Sequence, residues 1–450
     1  RKVNDEYFLG SVSSNGRVII ISKEKYSPGD YLSVEGATSK LDRDMKEIRA
    51  NETVLLKGKK LAEAKKEIES FIQKNCRLRN THIFSDQIMS KMDKLFEQAA
   101  VKIKRAIFLH QPIILRHDND SDGLCAALAL HKSISGALHL KVIAQEWPLY
   151  KTLDAEADLR YLNSFEAEYL NPILICADFG ANPESINGYT LIKKEKAGFE
   201  IIVIDHHPMQ EPKVKELIDV LVSPWVFGTG SSYATGLLAS EISQRISDVD
   251  VKRYANIALF ADRSKLVKWT KEGEKYSMAL EYLISTSKFP QTIETFSKVI
   301  DDEETLDLAY AQAQEKVGDM LNRLKGFTKT KRYGIITAFV INTDKLSIKG
   351  QFPRKGVITS FAADYLGKNN PEPVITVGYS QRNMNMRLNP AALKAGINCS
   401  DIVVKVKEAL GDAIEGGGGH PGASALRVRI GFSKIALDQL LKEVKAYAIK

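Results

Sequence analysis

The sequence has few cysteines, no long apolar run and no repeats. Its four cysteines form no CxxC pair, which argues against disulfides and a structural zinc site and fits a reducing, cytoplasmic compartment. Cys125 and Cys176 fall in apolar runs, so we expect buried thiols there. No apolar run approaches the roughly 20 residues that a membrane helix needs, and polar residues 1–6 do not resemble a signal peptide. We expect no membrane contact, and the lack of an initiating Met predicts that this chain begins inside a longer one.

Basic residues outnumber acidic ones. The chain has 64 Lys and Arg against 56 Asp and Glu, a formal net charge of +8. A hydrophobic content of 44% is ordinary for a globular protein, and 450 residues predict more than one domain. The basic surplus favours a polyanionic partner.

Three aspartates alternate in one short segment, as Asp118, Asp120 and Asp122. The mainly apolar residues 112–116 before it predict a strand, and the apolar residues 124–130 after it predict the start of a buried helix. The carboxylates are therefore expected in a strand-to-helix turn, where open α/β sheets place ligand sites. Three like charges this close together repel one another unless a cation holds them, so the segment predicts a divalent metal site.

Further apolar runs end in acidic residues or histidines. The run before Asp178 and the run before Asp205-His206-His207 are continuously apolar, as buried parallel strands are. We interpret the apolar run before Asp262 as another strand. Acidic ends that converge from four separate strands strengthen the prediction of a metal site.

Two motifs carry a resemblance to a known family. Asp205-His206-His207 resembles the motif for which the DHH phosphoesterase superfamily is named. The glycine-rich segment at residues 416–424 is similar to the GGGH loop of the associated substrate-binding domain, DHHA1. In this order, the motifs resemble RecJ-like exonucleases and oligonucleotide phosphodiesterases over about residues 108–448. The resemblance implies an α/β fold in which a parallel-sheet DHH lobe is followed by an α/β DHHA1 lobe.

The resemblance also implies two metal ions that share one aspartate. The ligands of the first ion would be Asp118, Asp120 and Asp178. The ligands of the second ion would be Asp122, Asp178, His206 and Asp262. Asp205 would fix the loop geometry or a histidine tautomer, and His207 would contact the scissile phosphate or act as an acid. Oxygen-rich sites with imidazole suit Mn²⁺ or Mg²⁺, and the histidine favours Mn²⁺.

A second group of residues would bind the substrate. Glycines let the backbone approach a phosphate closely, and those implied here are Gly417, Gly418 and Gly419. His420 would point at the same phosphate. Arg387 matches the arginine that precedes the glycine loop in this family and would clamp a phosphate, with Arg382 nearby to assist.

The chain is expected to contain five regions. They are a small β-barrel of the OB type (1–58), a helical connector (59–107), the DHH domain (108–265), a helical linker (266–331) and the DHHA1 domain (332–450). Within the linker, the charged residues 271–275 are expected to form a surface loop. An OB-like barrel would suit single strands, and a structural or oligomerising module is the alternative.

The leading functional hypothesis is a Mn²⁺-dependent single-strand exonuclease that releases mononucleotides by a two-metal mechanism and resembles archaeal RecJ-like nucleases. The helicase-associated archaeal branch would imply 3′→5′ polarity, a role in DNA repair and replication or helicase partners. One alternative is a phosphodiesterase for short RNA or cyclic dinucleotides. An alternative from another class is a non-catalytic replication scaffold, which the complete set of carboxylates disfavours.

Overall fold

The strands of the chain form three separate sheets. The computed structural model describes residues 2–3, 6–13, 16–42, 45–165, 171–196, 198–209, 212–230, 232–286, 290–347, 350–367 and 370–448. The chain divides into two compact units. Unit 1 comprises Arg1–Asn119, Gly123–Thr229 and Ala234–Ala255. Unit 2 comprises Asp120–Asp122, Gly230–Tyr233 and Asn256–Lys450.

The first sheet is N-terminal and belongs to unit 1. Its strands are β1 (Lys2–Val3), β2 (Glu6–Ser13), β3 (Gly16–Ser22), β4 (Leu32–Asp42) and β5 (Met45–Leu55). Their order is β1-β2-β3-β5-β4, and only β3 and β5 run parallel. The small N-terminal sheet that the sequence predicts is therefore present. Its barrel is not closed, because no pairing joins β4 to β1 among the described residues.

Two long helices follow, α1 (Gly58–Asn75) and α2 (Gln87–Phe108). The carboxylate of Asp86 begins α2, since its Oδ1 accepts hydrogen bonds from the main-chain N–H groups of Ile88 and Met89, both at 2.8 Å. One face of α2 is buried and carries Met89, Met92, Phe96, Ala99, Ala100, Ile103 and Ala106. This apolar stripe packs the helix against the rest of unit 1.

The second sheet is wholly parallel and lies in unit 1. Its strands are β6 (Ile113–Asp118), β7 (Leu140–Gln145), β8 (Ile173–Ala177), β9 (Glu200–Ile204) and β10 (Val220–Val222), in the order β10-β9-β8-β6-β7. The connecting helices are α3 (Ser121–Ile134), α4 (Thr152–Asn163), α5 (Ile186–Glu195), α6 (Pro212–Leu217) and α7 (Thr235–Ile246). Every residue of β8 is buried, as expected for a strand covered on both faces. Three of the four apolar runs predicted as strands are indeed strands, namely β6, β8 and β9.

Helices connect this sheet to the third. They are α8 (Lys252–Ala261), α9 (Lys271–Ser285), α10 (Ile293–Val299) and α11 (Glu303–Leu324). Two predictions were wrong here. The apolar run before Asp262 is helix α8 and not a strand, because a short apolar run fits either a buried helix or a strand. Residues 271–275 are the first turn of α9 and not a loop, since the hydroxyl of Thr270 caps the helix by accepting from the N–H of Gly273 at 3.0 Å.

The third sheet belongs to unit 2 and is mixed. Its strands are β11 (Thr328–Tyr333), β12 (Ile336–Asn342), β13 (Val374–Tyr379), β14 (Asn383–Leu388), β15 (Ile414–His420) and β16 (Ala423–Val428), in the order β11-β12-β13-β14-β16-β15. The helices are α12 (Lys355–Gly367), α13 (Pro390–Lys394), α14 (Cys399–Leu410) and α15 (Ser433–Tyr447). Met384 and Met386 of β14 are buried in the core of this unit with residues of α14 and α15.

The sequence predictions of an α/β fold and of buried thiols are confirmed, because all four cysteines are free and buried. No helix of the described residues is long and apolar enough to cross a membrane. The boundaries of the five regions drawn from the sequence stay predictions.

Candidate active site

Three adjacent strands of the parallel sheet end in aspartates. Asp118 is the last residue of β6, Asp178 follows β8 and Asp205 follows β9. Because parallel strands point the same way, their carboxyl ends meet at one edge of the sheet. Asp118 and Asp178 each offer a carboxylate oxygen within 4.8 Å of the other. Unit 1 by itself therefore gathers acidic groups close enough to hold a divalent cation.

The turn after β6 is tight. The Oδ1 of Asp118 accepts a hydrogen bond from the main-chain N–H of Asn119 at 2.8 Å. A Cβ at position 123 would lie 2.4 Å from the carbonyl oxygen of Asp118, so only glycine fits there. The glycine that closes the alternating acidic segment thus allows the helix to begin directly against the strand end.

Asp178 is the most constrained of these side chains. It is 1% exposed and its φ is +70°, a left-handed conformation that aspartate tolerates better than most residues. Its Oδ1 accepts a hydrogen bond from the hydroxyl of Thr235 at 2.9 Å. The same oxygen lies 3.5 Å from the Nε2 of His206. A buried carboxylate with an imidazole and a second carboxylate beside it suits the ligand set of a divalent ion.

Asp205 positions its neighbours. It is buried, its Oδ2 accepts from the N–H of Ala181 at 3.2 Å, and its Oδ1 accepts from the main-chain N–H of His207 at 3.0 Å. The Nδ1 of His207 is also 2.9 Å from that Oδ1. Burial by itself would raise the pKa of Asp205, but the charge of His207 and its hydrogen bonds lower the pKa below its usual value. Asp205 is thus engaged by three donors, whereas the His207 side chain is 40% exposed.

The two histidines of the motif are held differently. His206 is 2% exposed, and its carbonyl oxygen accepts a hydrogen bond from the indole Nε1–H of Trp225 at 2.8 Å. The rings of His206 and His207 meet edge to face, with centroids 4.6 Å apart. The hydrogen bond between His207 Nδ1 and Asp205 sets the orientation of the His207 ring.

Unit 2 contains its own pair of carboxylates. Asp122 is buried in the first turn of α3, and Asp262 directly follows the last residue of α8. Each offers an oxygen within 4.8 Å of the other. Asp120 is partly buried and belongs to the same unit.

The register of the third sheet aligns two of the expected substrate ligands. Arg387 of β14 pairs with Ala423 of β16, and Ala423 pairs with His420 of β15. Paired residues point to the same face and adjacent strands are about 4.8 Å apart, so Arg387 and His420 lie about 10 Å apart at the backbone on one face. The Nε–H of Arg387 donates to the hydroxyl of Ser360 at 3.1 Å. Burial, followed by the positive charge of Arg263, lowers the pKa of Arg387.

The glycine run is a strand and not a loop. Gly417, Gly418 and Gly419 belong to β15, which forms the edge of the sheet and, among the residues that the structure describes, pairs with β16 alone. At Gly419, φ is +139° and a Cβ would lie 2.4 Å from the carbonyl oxygen of Ala423. The expectation of a loop was wrong because a glycine run lacks the side chains by which strands are recognised, although its backbone pairs normally.

Arg382 lies apart from Arg387. It precedes β14, whereas Arg387 is near the other end of the same strand, about 17 Å along an extended chain. Its guanidinium pairs with Glu415 at 3.1 Å, and Glu415 also accepts from Arg427 at 2.7 Å. The structure therefore does not bring the two arginines together at one phosphate.

Several contributors escaped the sequence analysis. The hydroxyl of Thr235 contacts Asp178, the indole of Trp225 contacts the His206 carbonyl, and the hydroxyl of Ser360 contacts Arg387. Each is distant in sequence from the residue that it orients. Nothing in the local pattern marks them, so only the fold could reveal them.

Comparisons with known proteins agree with this architecture. Residues 354–450 match the family model described as the DHHA1 domain. A solved DHH domain, from a protein described as a member of a family of ribosomal proteins, superposes with a TM-score of 0.76 at 24% identity, over 86% of this chain and 98% of that chain. The match to the family model confirms the DHHA1 domain that the glycine-rich motif at residues 416–424 predicted, within a chain of α/β fold.

Two other proteins are similar. The uncharacterized protein MJ1198 of Methanocaldococcus jannaschii is 26% identical, over 93% of this chain. This chain spans 62% of the length of that relative. RecJ of Thermus thermophilus in complex with Mn²⁺ is a more distant likeness, with a TM-score of 0.49 and 15% identity over 79% of this chain and 55% of that chain.

Proposed function

We propose that the protein is a metal-dependent exonuclease that hydrolyses single-stranded nucleic acid from one end to mononucleotides. The observation that carries the proposal is Asp178. It is a buried carboxylate in a left-handed turn, beside the carboxylate of Asp118 and within 3.5 Å of the His206 ring nitrogen. Such a group is suited to be shared between two cations, because burial without a cation would leave clustered negative charge uncompensated.

The donor set fits two divalent ions. In this proposal Asp118, Asp120 and Asp178 hold the first ion. The second ion is held by Asp122, Asp178, His206 and Asp262. Carboxylates with one imidazole favour Mn²⁺, and Mg²⁺ suits the same oxygens. Such a pair of ions supplies a nucleophile near neutral pH and neutralises phosphoryl charge.

The remaining residues orient and bind. Asp205 holds His207 through both its ring and its main-chain N–H, so the exposed side of that ring can contact the scissile phosphate and hold a proton for the leaving oxygen. In unit 2, Arg387 and His420 stand in one row of the third sheet. Within the described part of the chain β15 is an edge strand, so we expect some of its main-chain N–H groups to donate to phosphate oxygens.

A polymer substrate is favoured over a dinucleotide. The N-terminal sheet and helices α1 and α2 add about a hundred residues before the first strand of the catalytic sheet. Together with the net charge of +8, they offer surface for a longer polyanion. We expect 3′→5′ polarity by the resemblance to the helicase-associated archaeal branch.

The test is hydrolysis of an oligonucleotide of about 30 nucleotides, labelled at the 5′ end in one reaction and at the 3′ end in another, with Mn²⁺ or with EDTA. We expect a ladder from the 5′ label and immediate mononucleotide from the 3′ label, with Mn²⁺ only. A ladder from the 3′ label with immediate mononucleotide from the 5′ label would also indicate an exonuclease, but one of 5′→3′ polarity. Cleavage of trinucleotides but not of the longer strand would indicate a phosphodiesterase for short substrates. Cleavage of neither substrate would favour a non-catalytic scaffold.

A further inference from the structure

The segment between α8 and α9 exposes a large aromatic side chain. Trp269 is 66% exposed. Among the described residues, its indole has neither an aromatic neighbour nor a cation over its ring. Burying a tryptophan stabilises a fold strongly, so an exposed one in an anchored segment is a candidate contact for a ligand.

Unpaired lysines flank this tryptophan. Lys265, Lys268 and Lys271 are exposed, and none of them has a carboxylate within ion-pair distance in the part of the chain that the structure describes. Lys275, one turn further on, shows the contrast, since it pairs with Glu303 at 3.1 Å and with Asp307 at 2.8 Å. The segment therefore presents positive charge that the protein itself does not neutralise.

The segment is anchored at both ends. Phe260 of α8 packs directly on Gly273 of α9, where an added Cβ would lie 2.3 Å from the ring. The hydroxyl of Ser264 donates to the carbonyl of Ser232 at 2.5 Å and accepts from the N–H of Leu266 at 3.1 Å. Glu272 and Glu274, which follow the lysines, lie in the first turn of α9, where negative charge favours the helix dipole. The backbone that carries Trp269 is thus held in place on both sides of this residue.

Trp269 lies close in sequence to Asp262, a candidate metal ligand of unit 2. Trp269 is seven residues after Asp262, so their Cα atoms are at most about 25 Å apart, the reach of a few nucleotides. A strand whose end is processed near Asp262 could pass over the indole.

We infer that residues 265–271 form a second contact for single-stranded nucleic acid, in which Trp269 stacks on a base and the three lysines hold neighbouring phosphates. The inference rests on the proposed function for its ligand class. An aromatic face recognises any base, and lysines recognise the backbone, so the combination fits a single strand of any sequence. An acidic protein would pair with the lysines but would offer no base on which the indole could stack.

The experiment measures binding in EDTA, where no hydrolysis occurs. The probes are oligo-dT and an abasic strand of the same length. Trp269→Ala is compared with Trp269→Phe, which keeps an aromatic face. A triple change of Lys265, Lys268 and Lys271 to Gln is compared with the same change at Lys434, Lys442 and Lys445, three exposed lysines of α15.

We expect Trp269→Ala to weaken the Kd for oligo-dT about tenfold, to leave the Kd for the abasic strand unchanged, and to be largely rescued by Trp269→Phe. The 265/268/271 triple change should lower the salt slope of binding by about 2 for both strands, and the α15 control should not. Equal losses for both strands in Trp269→Ala, or full competition by polyglutamate, would overturn the inference. Because binding is read without metal, that result would leave the hydrolytic function intact, whereas absence of hydrolysis would not by itself affect the binding result.

Discussion

The parallel sheet of unit 1 and the mixed sheet of unit 2 present functional groups in different ways. In unit 1, candidate ligands lie at or just beyond strand ends, because β6, β8 and β9 run parallel and finish at one edge. In unit 2, Arg387 and His420 stand within strands and are aligned by register across β14, β16 and β15. Chain direction assembles the first group, and hydrogen-bond register assembles the second.

The two arrangements also differ in how tightly each group is held. Asp178 is fixed by its left-handed backbone, by Thr235 and by nearly complete burial. Arg387 is half-buried and its Nε–H contacts a serine hydroxyl. Fixed carboxylates suit a metal centre, which requires set distances, whereas an arginine can adjust to a phosphate.

The largest expected effect is at Asp178, the most tightly held of the candidate metal ligands. Asp178→Asn keeps a residue that tolerates the left-handed conformation and removes the charge. Losing several kcal/mol of charge stabilisation predicts a fall in kcat of about a thousandfold, with single-strand affinity in EDTA retained. Asp250→Asn, at an exposed aspartate of the same unit, is the matched control for hydrolysis and thermal stability. Turnover near the wild-type rate in Asp178→Asn would contradict the two-metal assignment.

The second prediction separates the two arginines of unit 2. Arg387→Ala should raise KM about 10- to 100-fold, because a charged hydrogen bond to phosphate contributes about 1.5–3 kcal/mol. Arg382→Ala should leave KM within about twofold of wild type, since its guanidinium is paired with Glu415 at the other end of β14. Steady-state kinetics at saturating Mn²⁺ measure both. Equal increases of KM in the two variants would contradict the assignment of Arg387, and not Arg382, as the phosphate contact.

A smaller effect is expected at the support of Asp178. Thr235→Val keeps the shape and removes the hydroxyl that donates to Asp178. Because supporting hydrogen bonds tune ligand affinity, the Mn²⁺ concentration for half-saturation should rise about tenfold. Thr359→Val is the control, since the buried Oγ1 of Thr359 has no hydrogen-bond partner among the residues that the structure describes. A titration in which both variants match the wild type would remove Thr235 from the site.

The smallest expected signal is thiol reactivity. Burial raises the pKa of Cys176 in unit 1 and of Cys399 in unit 2 to about 12 each. At pH 8 the thiolate fraction is then about one part in 10⁴, so neither thiol should react with a disulfide reagent in the folded protein. Mass spectrometry after labelling in rising urea compares the opening of the two units. Rapid labelling of one thiol without urea would show that its unit opens locally.

The sequence was most predictive where local pattern and chain direction coincide. Asp118, Asp178 and Asp205 follow apolar runs, and parallel strands then bring their ends together. Asp262 also follows an apolar run, but that run is the helix α8, because a run of this length fits either element. Which element forms depends on packing that a single sequence does not display.

The sequence did not reveal where each strand begins and which strands pair. Arg382 and Arg387 are near in sequence, yet they lie at opposite ends of β14. The glycine run had no side chains to indicate a strand. Half of residues 45–52 in β5 are charged, and this strand pairs with β3 and β4. The open N-terminal sheet was expected to close, because strand lengths and turns alone do not reveal which edges pair.

The glycine-rich edge strand β15 also bears on solubility. An exposed edge strand offers its backbone to strands of other molecules, which is a common route to aggregation. Glycine has low β propensity and loses much conformational entropy when ordered, so a run of glycines is a poor template for a further strand. We therefore expect the glycine run to limit self-association of the protein through this edge.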